Sequence, residues 1–130
     1  MPGRELDLSG RWSGIYNYPR GLPPVAFEAV IQDNGGAIIG ETTETESRLG
    51  TLHALIDGHR AGSQVRFVKT YDDLPRAMDP VAYDGTIAES GDEIHGRWHL
   101  AGDWSGTFLM VREGGAKQEE RRREQATIPV

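Results

Sequence analysis

Residues 25–45 read VAFEAVIQDNGGAIIGETTET. Val25, Phe27, Ala29 and Ile31 alternate with Ala26, Glu28, Val30 and Gln32. This period of two lays one side of a strand on a core and turns the other outward. Asn34-Gly35-Gly36 follows and supplies consecutive residues that accept positive φ, so the chain doubles back in a tight hairpin and returns as a second strand over Ala37 to Thr45. Antiparallel pairing of sequential strands is therefore the expected local rule.

The same alternation, cut by turn clusters, predicts eight strands: Ser9 to Tyr18, Val25 to Asp33, Ala37 to Thr45, Thr51 to Asp57, Gln64 to Tyr71, Val81 to Glu89, Glu93 to Leu100 and Trp104 to Arg112. The connections His59-Arg60-Ala61-Gly62, Ser90-Gly91-Asp92 and Ala101-Gly102-Asp103 are short and rich in turn formers. No stretch of the body carries a capped helical period. Short connections give an up-and-down meander, and an open sheet of this size would leave two exposed edges. Gly14, Gly40, Gly85, Gly96 and Gly106 fall on the inward side of their strands, where a missing side chain permits the bending that closure needs. The expected fold is all-β: a single closed eight-stranded antiparallel up-and-down barrel over residues 1–113, with a two-sheet sandwich as the alternative that uses the same alternation. A charged C-terminal tail over residues 114–130 completes the chain. Within it KQEERRREQ (117–125) is a run of helix formers with no apolar stripe.

The 130 residues carry 14 basic and 20 acidic side chains, a net charge of −6. From Arg112 onward there are five basic and four acidic residues, leaving nine against sixteen, or −7, on the body. Such a body repels a phosphate backbone, so no nucleic-acid partner is expected. There is no cysteine, which removes disulfides, thiolate chemistry and Cys-ligated metals. No apolar run approaches a membrane span and the N-terminus lacks a signal-peptide core, so a cytoplasmic protein with no membrane partner is expected. His95 and His99 lie four apart on a strand, about 13 Å at ~3.3 Å per residue, too far to share one metal. Neither a metal nor a cofactor is expected. Phosphate-binding glycine loops and Gly-x-Ser-x-Gly elbows are absent from the sequence.

In a closed meander the last strand pairs with the first, which sets Trp12 beside Arg112, the guanidinium covering the indole at the barrel floor. Gly10-Arg11-Trp12 opening the first strand with an Arg closing the last resembles the floor signature of the calycin superfamily of lipocalins, fatty-acid-binding proteins and avidins. Gly36-Ala37-Ile38-Ile39-Gly40-Glu41-Thr42 is similar to the third-strand region of streptavidin. This resemblance covers about residues 9–113 and implies a lipocalin-like barrel with a ligand-binding habit. Gly10-x-Trp12-x-Gly14 with Tyr18-Pro19 also resembles the opening of the haem-binding nitrobindins, but His95 and His99 share parity with Arg97 and point outward, away from where that family holds haem.

Alternating strand direction sends the tight turns to one end and the longer segments Pro19 to Pro24, Glu46 to Gly50 and Asp72 to Pro80 to the other, the expected mouth. Parity places Tyr16, Tyr18, Phe27, Thr42, Glu44, Lys69, Tyr71, Tyr83, Trp98 and Trp104 in the upper interior. Aromatic walls with a few polar groups are the usual composition of a small-molecule site. The leading expectation is a binder of an apolar or aromatic ligand, with Lys69, Tyr71 and Tyr83 converging near the rim. A barrel enzyme using Tyr with Lys or Glu as acid and base, and a ligand-free interaction module, are the alternatives. Asp72, Asp73 and Asp79 in the longest mouth segment offer a site for a cation or cationic ligand, or simply solvated carboxylates. Ile15, Leu109 and Val111 point outward on the first and last strands and suit a homodimer interface.

Overall fold

The computed structural model describes residues 6–46, 50–72, 80–100 and 104–114. Eight strands follow in chain order: β1 (Gly10–Asn17), β2 (Val25–Asn34), β3 (Ala37–Glu46), β4 (Gly50–Ala61), β5 (Gln64–Tyr71), β6 (Val81–Ile87), β7 (Glu93–His99) and β8 (Ser105–Arg112). Each pairs antiparallel with the next, and β8 pairs with β1, so the sheet closes on itself as an up-and-down barrel. No helix occurs among the described residues, and none there is long and apolar enough to cross a membrane.

The β2–β3 hairpin closes in a two-residue turn. Gly35 and Gly36 take φ of 64° and 103° between the paired residues Asn34 and Ala37. A β-carbon on Gly36 would also press on the Arg60 carbonyl.

The fourth strand departs from its expected length. Instead of ending at Asp57, β4 runs through His59 and Arg60 to Ala61, and the turn is Gly62-Ser63. Two causes are visible. Gly58 brings the backbone so near β5 that a β-carbon would collide with the Arg66 carbonyl. Arg60, which reads as a turn residue by polarity alone, pairs with Val65 and sends its guanidinium to Asp33.

Asp33 organises the floor. Its carboxylate, 1% exposed, accepts from the backbone N–H of Leu8 (2.9 Å) and Gly36 (2.8 Å) and from Arg60 Nε (2.8 Å). The Leu8 bond draws in the segment before β1, whose Leu8 side chain is 1% exposed and plugs the barrel end. Burial pushes the Asp33 pKa up, but the Arg60, Leu8 and Gly36 hydrogen bonds outweigh it and hold it below the usual value of 3.8. A depressed carboxyl pKa contributes stability that is complete above the unfolded value and is lost as pH falls through the folded one. Asp33→Asn should therefore cost about 2–3 kcal/mol at neutral pH, and the gap to the parent should stay level down to about pH 4 and close below it. Urea midpoints measured from pH 7 to pH 2.5 check this; a gap that persists unchanged to the lowest pH contradicts it.

Above the plug the core is packed with side chains. The rings of Phe67 and Tyr83 stack at 4.9 Å and Phe108 meets Tyr83 edge-on at 4.9 Å. Ile38, Val65, Ile94 and Met110 fill the space towards the floor. The outward patch expected on β1 and β8 is not formed as such: Ile15 and Leu109 pair in register and are half-buried, and Val111 is 4% exposed in spite of its outward parity. The large apolar side chains left exposed on the barrel wall are Val30, Ile39, Leu55 and Val68, on β2 to β5.

Candidate functional site

The polar centre of the upper barrel is Glu44, and the residues around it come from strands on opposite sides. Glu44 faces inward on β3, paired in register with Phe27 of β2 and Leu52 of β4. Its carboxylate accepts from Tyr16 Oη (2.5 Å, β1), Tyr71 Oη (2.6 Å, β5) and Lys69 Nζ (3.0 Å, β5). Lys69 Nζ lies 3.4 Å from Tyr83 Oη. Four rings surround that ammonium, with centroids 4.8 Å (Tyr16), 5.0 Å (Phe27), 5.1 Å (Tyr71) and 5.6 Å (Tyr83) away. The pair is deeply buried, with side chains 1% and 2% exposed.

A buried ion pair holds only when hydrogen bonds satisfy its remaining valences. Here two phenols cover the carboxylate and aromatic faces cover the ammonium. Burial, followed by the hydrogen bond to Glu44, pushes the hydroxyl pKa of Tyr16 and of Tyr71 far above the usual phenol value, so both remain donors. Tyr83 is raised likewise, by burial and then by the Glu44 charge. Lys69 moves the other way: burial lowers its pKa, and the carboxylate opposes that shift. Thr42, two residues below Glu44 on the same face, is 3% exposed, and its Oγ1 is the one buried side-chain polar atom without a partner among the described residues.

Aromatic side chains continue to the rim. Tyr18 stands edge-on to Tyr16 (5.5 Å) and Trp98 (5.7 Å) and lies 6.2 Å from Trp104. Trp98 Nε1 donates to the Asn17 carbonyl, and Gly106 leaves the room for this, since a β-carbon there would strike both the Asn17 oxygen and the indole. Beside this cluster opens a cleft of about 710 Å³, lined by Tyr18, residues 22–28 and residues 43–45.

Of the residues expected to line a ligand, Tyr18, Phe27 and Glu44 border this cleft. Tyr16, Lys69, Tyr71 and Tyr83 form the network behind it, and Trp98 and Trp104 back Tyr18. Lys69 does converge with Tyr71 and Tyr83, but inside the barrel and not at the rim; its alkyl stem carries Nζ to Glu44 instead of to solvent. His95 and His99 are exposed on the outer wall. Leu22, Pro23 and Pro24 of the cleft belong to the Pro19 to Pro24 segment expected at the mouth, although alternation, silent about residues between strands, does not single them out individually. Asp73, Asp79, the mouth segments 47–49 and 73–79, the turn 101–103 and the tail 115–130 lie outside the described residues.

No protein-family model and no curated protein matches the chain. Solved structures do. The chain is similar to a redesigned beta barrel, with a TM-score of 0.69 at 14% identity over 82% of this chain and 91% of that one. It is also similar to a de novo designed fluorescence-activating beta barrel, with a TM-score of 0.56 at 14% identity over 81% and 93%. Identity this low establishes a shared fold only.

Proposed function

We propose that the protein is a calycin-type barrel that binds an apolar or aromatic small molecule in the mouth cleft. The observation that carries this is the cleft itself: an opening of about 710 Å³ that joins the apolar groups of Tyr18, Leu22, Pro23 and Val25 to the polar residues Glu28, Thr43, Glu44 and Thr45. A concave surface with apolar and aromatic walls and a few polar residues is how small-molecule sites are built. Glu44 is fixed by three donors on the inner side of this wall, so the part of the cleft it belongs to is preorganised and needs no reordering when a ligand binds. The calycin assignment is supported by Gly10-Arg11-Trp12 and Arg112 meeting where the barrel closes, and the designed fluorescence-activating barrel is a further closed barrel of the same fold.

Leu22 tests the reading without endangering the fold, because it is 49% exposed. Leu22→Asp should leave the unfolding midpoint within about 0.5 kcal/mol of the parent while weakening binding of 2-naphthalenemethanol by about 1–2 kcal/mol through lost apolar contact. Quenching of Trp98 and Trp104 reports binding. Equal affinity in parent and variant, or no binding by the parent at millimolar probe, removes the cleft as the ligand site.

A further inference from the structure

Lys69 is one of two lysines in a chain with 12 arginines, the other being Lys117. An interior cation that served only to balance Glu44 could be either residue, and guanidinium, with its weaker hydration and fixed fork, suits buried pairs better. Lysine differs in that its nitrogen can give up a proton and become a nucleophile. Phe27 and Glu44, two of the residues that line the mouth cleft, also stand against Nζ, at 5.0 Å from the ring centroid and 3.0 Å from the carboxylate, so the amine lies directly behind that wall.

From this arrangement we propose that Lys69 captures carbonyl ligands, aromatic or apolar aldehydes above all, as a Schiff base inside the barrel. The inference rests on the cleft being a ligand site. The ammonium proton passes to Glu44, 3.0 Å away, and the freed lone pair forms a C–N bond to the carbonyl carbon as the C=O π pair moves to oxygen. A second nitrogen proton shifts to that oxygen. Glu44 then returns its proton to the departing hydroxyl, which leaves as water, and the nitrogen lone pair closes the C=N bond. Amine plus aldehyde has become imine plus water, with no oxidant or reductant. The product is a protonated imine beside a carboxylate, so the buried ion pair persists with an iminium in place of the ammonium. The surrounding rings of Tyr16, Phe27, Tyr71 and Tyr83 suit a delocalised cation as well as an ammonium. Burial favours the step further, because it lowers the Lys69 pKa and enlarges the fraction of free amine.

The test is reductive trapping on the folded full chain. Protein at pH 7 is incubated with 2-naphthaldehyde and sodium cyanoborohydride, which reduces the imine to a stable secondary amine, and the label is located by peptide mapping. The expected result is one naphthylmethyl group per chain, on Lys69 in clear preference to Lys117. Excess 2-naphthalenemethanol, which fills the cleft but has no carbonyl, should suppress it. Lys69→Arg keeps the charge and should abolish the label; should that variant fail to fold, mapping and competition on the parent still decide. Label confined to Lys117 and the N-terminus while 2-naphthalenemethanol still quenches Trp98 and Trp104 overturns the Schiff base and leaves the cleft standing. Label on Lys69 that the alcohol does not suppress also overturns it. Absence of binding by the alcohol overturns the cleft and the Schiff base together.

Discussion

Glu44→Gln should destabilise the barrel by about 3–5 kcal/mol, the loss expected when one partner of a buried ion pair is neutralised and the other is left behind. The substitution preserves volume but leaves one acceptor oxygen where Tyr16 and Tyr71 donate to two different ones, so the loss combines one displaced phenol hydrogen bond with the uncompensated charge on Lys69, whose side chain is 1% exposed. Glu44→Gln combined with Lys69→Met removes both charges and should recover most of the stability, because a well-packed apolar replacement for a buried pair is commonly neutral or better. Chemical denaturation of the parent, both single variants and the double variant forms a complete cycle. A double variant as unstable as the sum of the singles contradicts the pairing of these two charges.

The same cycle has a pH signature. Lys69 has a folded pKa below its unfolded value, so between the two the unfolded chain binds more protons and stability rises with pH. Glu44 opposes that depression in the parent. Without it the depression deepens, the window extends to lower pH, and Glu44→Gln should regain stability between pH 7 and pH 10 more steeply than the parent does. A parallel pH dependence of the two proteins means that Lys69 is not the titrating group.

Alternation made the barrel legible because each strand has one wet and one buried face, and a slip of one residue would have inverted every side chain. The inward glycines are read by the same parity: Gly14 makes room for the Phe27 ring, and Gly85 for Ile94 and Phe108. Two features escaped it. The end of β4 is held by a contact from Arg60 to Asp33, residues 27 apart, and polarity alone marks such a residue as a turn. The Leu8 plug precedes the first strand, where no period exists to place it; only two leucines in an otherwise polar segment hinted at burial. At the site, parity put Tyr16, Glu44, Lys69, Tyr71 and Tyr83 on the inner face, but parity does not say how far a long side chain travels. Whether Lys69 snorkels to the rim or turns to Glu44 depends on separations between strands that a single sequence does not encode.

Arg112→Ala should cost about 2–4 kcal/mol, more than a partly exposed ion pair supplies, because the guanidinium holds several segments at once. It lies 4.6 Å from the Trp12 ring centroid, and Trp12 is fully buried. Its Nη1 donates to the Ser9 carbonyl (2.8 Å) and its Nη2 to the carbonyls of Asp7 (2.8 Å) and Gly91 (3.0 Å), while Nε meets Asp92 at 3.0 Å. One planar group thus ties the segment before β1, the turn before β7 and the end of β8 to the indole face, and Trp12 Nε1 in turn donates to the Leu8 carbonyl that carries the plug. The ion pair to Asp92 is partly exposed and contributes the smaller share. Arg112→Lys separates the contributions: an ammonium keeps the charge but cannot reach three carbonyls and lie flat on the indole together, so it should recover no more than about a third of the loss in urea-midpoint stability. Full recovery by lysine would reduce the floor to simple charge pairing. Recovery by Arg112→Met instead would show that apolar cover over Trp12, and not the hydrogen-bonded fork, is what closes the barrel.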